Sequence, residues 1–136
     1  MADEAVIVTL LGNDGDPVEY TVATGTAIPK GTLMILSSSP KTATASTGDG
    51  EFFCGITAAE KTATDGVTVM ALITHCIALL TAGTGATTFG QMQKLSGANV
   101  VIDADDDTTA NMMENVGLSL STVVDGAQGE VLINVG

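Results

Sequence analysis

Short apolar runs cut by glycine, proline and acidic residues set the pattern of this chain. The opening stretch "AVIVTLLGNDGDPVEYTVATG" holds an apolar run at 5–11, a break at Asn13-Asp14-Gly15-Asp16-Pro17, and an alternating run at 18–23. Glycine takes positive φ without strain and proline fixes its own φ, so this pattern predicts two strands joined by a turn. A third strand is expected over Gly31 to Leu36. It stops at "SSSPK" (37–41), and the Thr/Ala alternation of "KTATAS" follows. An anion-binding loop would lead glycine-rich backbone into a helix N-terminus, and a nucleophilic serine would need a base. Neither pattern surrounds Ser37, Ser38 and Ser39, which read as a hairpin loop.

After the Gly48-Asp49-Gly50 turn, Glu51 to Thr57 reads as a strand. A loop then runs through Ala58–Asp65 to Asp65-Gly66, and a long strand fills 67–79. Val67, Val69, Ala71 and Ile73 share one face and Thr68, Met70, Leu72 and Thr74 the other. Both faces are fairly apolar, which predicts a central strand or a subunit interface. The last third repeats the plan. "TFGQMQKLSG" (88–97) echoes "IPKGTLMILS" (28–37), and "NVGLSL" (115–120) echoes "FCGITA" (53–58), at a spacing of about sixty residues. A final strand, 129–136, puts Val131, Ile133 and Val135 on one face. Between these, 107–115 reads as one short helix with Asp107 or Thr108 as N-cap. The expected organisation is an N-terminal arm or first hairpin over 1–28 and a β domain over 29–136, the latter repeating internally as 28–80 and 88–136.

Composition narrows the function. The 136 residues include 16 Gly, 3 Phe, 1 Tyr and no Trp, so the core must be aliphatic. Sixteen acidic residues face only Lys30, Lys41, Lys61 and Lys94, a net charge of −12. That charge repels nucleic-acid phosphates and anionic membranes, and without arginine the usual bidentate anion clamp is missing. The acidic start, Met1-Ala2-Asp3-Glu4, lacks the basic character of a signal peptide, so synthesis in the cytoplasm is expected. Cys54 and Cys76 read as buried small hydrophobes. His75 and Cys76 are neighbours on a strand, point to opposite faces, and should not chelate one ion together.

One motif suggests chemistry. In "DADDDTTANMME" (103–114), Asp103, Asp105, Asp107 and Glu114 occupy the first, third, fifth and twelfth positions of a calcium loop. The sixth position is Thr108, where the turn demands glycine, so the expectation is a solvated acidic loop and no bound metal. There is no HExxH, GxSxG or CxxC, and no spacing of carboxylates that separates an acid from a base. No catalytic residue, cofactor or small-molecule substrate is expected.

The stretch from Pro29 to about Thr81, with "TLMIL", the Ser-rich turn and "GDGEFFCGITAAEKTATDGVTVMAL", resembles the head decoration, or capsid cement, proteins of tailed phages, of the lambda type or the broader cement group. The resemblance is a pattern of small residues without an invariant signature, and it leaves 86–136 longer than the lambda pattern. It implies a mainly β fold: a small β-barrel or β-tulip-like domain of short strands with at most one or two short helices. It further implies a homotrimer on the outer surface of the virion, clamping neighbouring copies of the major capsid protein. In some members an N-terminal arm adds a strand to the coat. By position the candidates for that contact are Ala5, Val6, Ile7, Val8, Thr9, Leu10 and Leu11, although the same run fits an ordinary core strand. The rival reading is a calcium-dependent β binding module of a surface or adhesin protein.

Overall fold

Eleven strands and no helix make up the part of the chain that the computed structural model describes, residues 3–11, 17–104 and 115–135. In order they are β1 (Val6–Leu10), β2 (Val18–Thr21), β3 (Leu33–Leu36), β4 (Ala43–Ala45), β5 (Phe53–Thr57), β6 (Val69–Ile73), β7 (His75–Ala82), β8 (Met92–Gly97), β9 (Val100–Asp103), β10 (Asn115–Ser119) and β11 (Gln128–Asn134). The fold is mainly β, as expected. The helix expected at 107–115 falls outside the described residues except for Asn115, which opens β10.

Two sheets share the work. One runs β1-β7-β11-β10-β8-β9 and closes on itself, because β9 also pairs in parallel with the end of β7 (Thr81 with Val100, Ala82 with Val101). The result is a five-stranded barrel with β1 attached outside the closure, antiparallel to the first half of β7. The second sheet runs β2-β6-β5-β3-β4, and its outer strands meet through a single parallel bridge between Thr21 and Thr42. Substituting β7–β11 for β2–β6 converts one strand order into the other. Local features repeat with it: Gly31 and Gly90 have φ of 85° and 83°, and Ile28–Lys61 and Thr87–Val123 form matching antiparallel bridges.

The expectation of one long strand over 67–79 needs correction. The strand starts at Val69, the chain leaves the second sheet after Ile73, and it enters the barrel at His75. Hydrophobic alternation does not register this step. Met70 and Leu72 face the interior of the second sheet, and Cys76, Ala78 and Leu80 keep the same parity inside the barrel. Nor do β1 and β2 form a first hairpin, since β1 pairs with β7 and β2 with β6. Each strand finds a longer apolar partner elsewhere.

The core follows from the same alternation. Met34, Cys54, Met70 and Leu72 pack with Val22, Ile28 and Ala43 on one face of the second sheet. Their neighbours Leu33, Ile35, Phe53, Ile56 and Ile73 point the other way, into the cluster that fills the barrel with Leu95, Val101, Val116, Val131 and Ile133. Each large aliphatic side chain so buried contributes roughly 1.5–3 kcal/mol. Asn99 pins the joint in polar fashion. Fully buried at φ 61°, it accepts the Leu33 N–H on Oδ1 at 2.8 Å and donates its own N–H to Ser46 Oγ at 3.0 Å.

Neighbouring strands approach closely at two glycines in equivalent places, Gly55 in β5 and Gly117 in β10. A Cβ on Gly117 would lie 2.2 Å from the Leu132 carbonyl oxygen, and one on Gly55 2.8 Å from Leu72 Cβ. Backbone cannot yield as a flexible side chain would, so Gly117→Ala should cost about 3 kcal/mol of unfolding free energy. Gly48→Ala, where nothing lies within 4 Å, should stay within about 0.5 kcal/mol. Urea denaturation of both variants measures the difference, and equal stabilities would contradict this packing.

Candidate functional site

Catalytic chemistry has little to build on among the described residues. No group of three or more His, Cys, Asp or Glu side chains there could hold a metal ion. Cys54 and Cys76 are free and buried, and burial pushes their thiols up to about 12 and about 11, far from the thiolate a nucleophile needs. His75 is half-buried at the start of β7, while Cys76 beside it turns into the barrel. The Ser37–Lys41 segment is the β3–β4 hairpin loop. Ser37 N–H donates to the Thr42 carbonyl at 2.9 Å, Ser39 N–H to Ser37 Oγ at 3.3 Å, and Lys41 sits at φ 50°.

Of the acidic motif, Asp103 is described, and Asp105, Asp107 and Glu114 lie outside the described residues. Asp103 ends β9 with one carboxylate oxygen already engaged: Oδ1 accepts the Thr88 N–H and the Gln93 Nε2–H, both at 2.8 Å. Burial pushes its pKa up, but the bonds from Thr88 and Gln93 outweigh it and hold the carboxyl below its ordinary value. The residue ties β8 and the 86–90 loop to β9.

The surface offers more. β1, the sequence candidate for coat contact, ends its sheet, with β7 on one side and no strand on the other among the described residues. Ala5 is buried and donates its N–H to the Gly31 carbonyl at 2.6 Å, Leu11 N–H donates to the His75 carbonyl at 3.2 Å, and Ile7 packs against the core. These contacts fix both ends of the strand. A bulge between Ile7 and Thr9 takes Val8 out of register, and Val6, Val8 and Leu10 are 50%, 46% and 45% exposed. Proteins usually blunt such an edge with lysine or proline. "VIVTL" carries neither. By contrast, the corresponding edge of the second sheet begins beside Pro17, which has no N–H to offer a partner, and carries Glu19.

Beside β1 a cavity of about 370 Å³ lies between Glu4–Ile7 and Lys30–Gly31, with Thr57 on its wall. Glu4 Oε2 is buried and has no hydrogen-bond partner among the described residues. A second cavity, about 460 Å³, opens at the barrel end between Asp3, Thr84, Ser96 and Asp125.

Sequence reasoning missed Lys61. Its side chain is fully buried, and its ammonium donates to the carbonyls of Thr24 (2.6 Å), Thr26 (3.0 Å) and Thr62 (3.2 Å), with Asp65 Oδ1 at 3.6 Å. It locks the 22–28 loop onto the 58–65 loop. No local pattern marks a lysine as buried; the only hint is its place between apolar strands in a chain with so few cations.

No protein-family model matches the chain, and no curated protein matches its sequence.

Two outcomes follow from these side chains. Lys61→Met leaves the Thr24, Thr26 and Thr62 carbonyls without their donor and should cost about 2 kcal/mol. A urea midpoint unchanged from wild type would remove Lys61 from the account. Asp103, whose folded pKa is depressed, contributes stability that is present above its unfolded pKa of about 3.9 and lost as pH falls through the folded value. Asp103→Asn should therefore be less stable than wild type at pH 7, with a gap that closes in acid. A gap constant from pH 7 to pH 2 would contradict the assignment.

Proposed function

We propose that this chain is a structural decoration protein, a capsid cement that docks on the outer surface of an assembled phage head and stabilises it by bridging major capsid protein subunits. The observation that carries the reading is the edge strand β1, apolar, exposed and, among the described residues, unpaired on its outer side. It coincides with the run that the family resemblance nominates for strand addition to the coat. An open edge lends its backbone hydrogen bonds to an added strand, and alternating side chains supply the fit. Val6, Val8 and Leu10 are the side chains such a partner would cover.

The rest of the molecule suits that role. A rigid β body holds the edge in place, and the buried thiols and dispersed carboxylates leave no assembled catalytic set among the described residues. A net charge of −12 keeps free subunits apart in solution. Binding to a site complete only on the mature lattice then stabilises that lattice by mass action. A trimer, as the resemblance implies, would place three such edges on one three-fold position with closed symmetry.

Co-sedimentation with the expanded heads of its own phage tests this. Saturable binding to expanded heads and none to unexpanded proheads is expected. Val8→Lys should weaken binding by at least about tenfold, as loss of a central apolar contact does. Failure of the wild-type protein to bind expanded heads would overturn the proposal.

A further inference from the structure

We propose that Asp49-Gly50 is a site of spontaneous backbone modification, where the Gly50 nitrogen closes on the Asp49 carboxyl carbon and the ring re-opens as isoaspartate. The pair sits in the turn between β4 and β5, and its geometry already prefigures the first step. Gly50 N–H donates to Asp49 Oδ1 at 2.8 Å, which holds the nitrogen one bond away from Cγ. Both residues are exposed, and Gly50, at φ 79°, has no side chain to screen its nitrogen. Groups held this close react as if at high concentration.

The fold separates this pair from others of the same sequence. Asp65-Gly66 and Asp125-Gly126 are also described, and Asp14-Gly15 lies outside the described residues. Asp65 commits both oxygens elsewhere: Oδ1 accepts the Val67 N–H at 3.0 Å and Oδ2 the Thr62 N–H at 2.9 Å. Those bonds, from Val67 above all, hold its carboxyl below the ordinary value and keep it an anion, which is a poor electrophile. At Asp125-Gly126 the nitrogen is the committed group, since Gly126 N–H donates to the Ala82 carbonyl at 2.8 Å. Of these three described pairs, Asp49 alone accepts the N–H that follows it.

Closure forms a bond between Gly50 N and Asp49 Cγ, and one carboxyl oxygen departs as water with the amide proton and a proton from solvent. Water then adds to the Asp49 main-chain carbonyl carbon. Its bond to Gly50 N breaks, with the electron pair and a proton going to nitrogen. The backbone now runs through Cγ and is one carbon longer, while the carboxylate is left directly on Cα. That shortened side chain draws back from Lys94 Nζ, 3.2 Å from Oδ1, and so cuts the ion pair that ties this turn of the second sheet to β8 of the barrel.

Cleavage after lysine places each described pair in its own peptide, 42–61, 62–94 and 95–136, which makes the test direct. The folded full chain is aged at neutral pH in heavy-oxygen water, digested in ordinary water, and the isoaspartate located by fragmentation. Each ring opening writes one solvent oxygen into the peptide. Label should build up at Asp49 at least about tenfold faster than at Asp65 or Asp125. Unfolding in urea should bring the three rates together, because the geometry is then lost and the dipeptide is the same. Asp49→Glu, whose longer side chain would have to close a larger ring, should leave 42–61 unlabelled. No isoaspartate at Asp49, equal rates in the folded chain, or a lead for Asp49 that persists unchanged in urea would overturn the proposal.

Discussion

A sheet whose central strands bury both faces is the constraint on which this structure depends. β3, β5 and β6 send alternate side chains into two clusters, one closed by the sheet's own loops and the other filling the neighbouring barrel. A chain with 3 Phe, 1 Tyr and no Trp has few side chains large enough to fill a core singly. It buries small and medium aliphatic groups from both faces instead. The glycines at Gly55 and Gly117 belong to the same solution, since they allow backbones to approach where a side chain would hold them apart. The two halves also share a core: Ile56 and Ile73 from one side meet Cys76 and Val116 from the other in a single cluster.

That constraint explains what could be read from the sequence. Turn chemistry placed the breaks around 37–41, 48–50 and 65–66, because glycine, proline and serine act locally. Apolar runs placed β3, β5 and β11 to within a few residues, and the internal echo pointed to the segments that hold β8 and β10. The step at Thr74 was invisible for a physical reason: even positions stay buried across it, Met70 and Leu72 in one cluster and Cys76, Ala78 and Leu80 in the other. Pairing was equally hidden. Local signals mark where β1 and β2 begin and end, but their partners β7 and β6 lie far along the chain, Leu79 opposite Val6 and Leu72 opposite Val18, and nothing in a turn encodes that choice.

The candidate surface was partly legible. An apolar run near the start fits a core strand or a docking strand equally, and burial decides between them. Ala5 and Ile7 serve the core while Val6, Val8 and Leu10 face outward, so β1 is both a structural strand and an exposed edge. The cavity at its side could not have been anticipated, because it depends on Gly31, whose carbonyl takes the Ala5 N–H from a distant part of the chain. Lys61 and Asn99 are likewise long-range: each is an ordinary polar residue in the sequence, made structural by backbone groups brought to it from elsewhere.

A cryo-electron microscopy map of expanded heads decorated with this protein, at a resolution that traces strands, tests the central claim most directly. The account predicts density for a coat-protein strand alongside the outer edge of β1, covering Val6, Val8 and Leu10. A decorated head in which that edge faces solvent, with the coat bound by another surface, would contradict it.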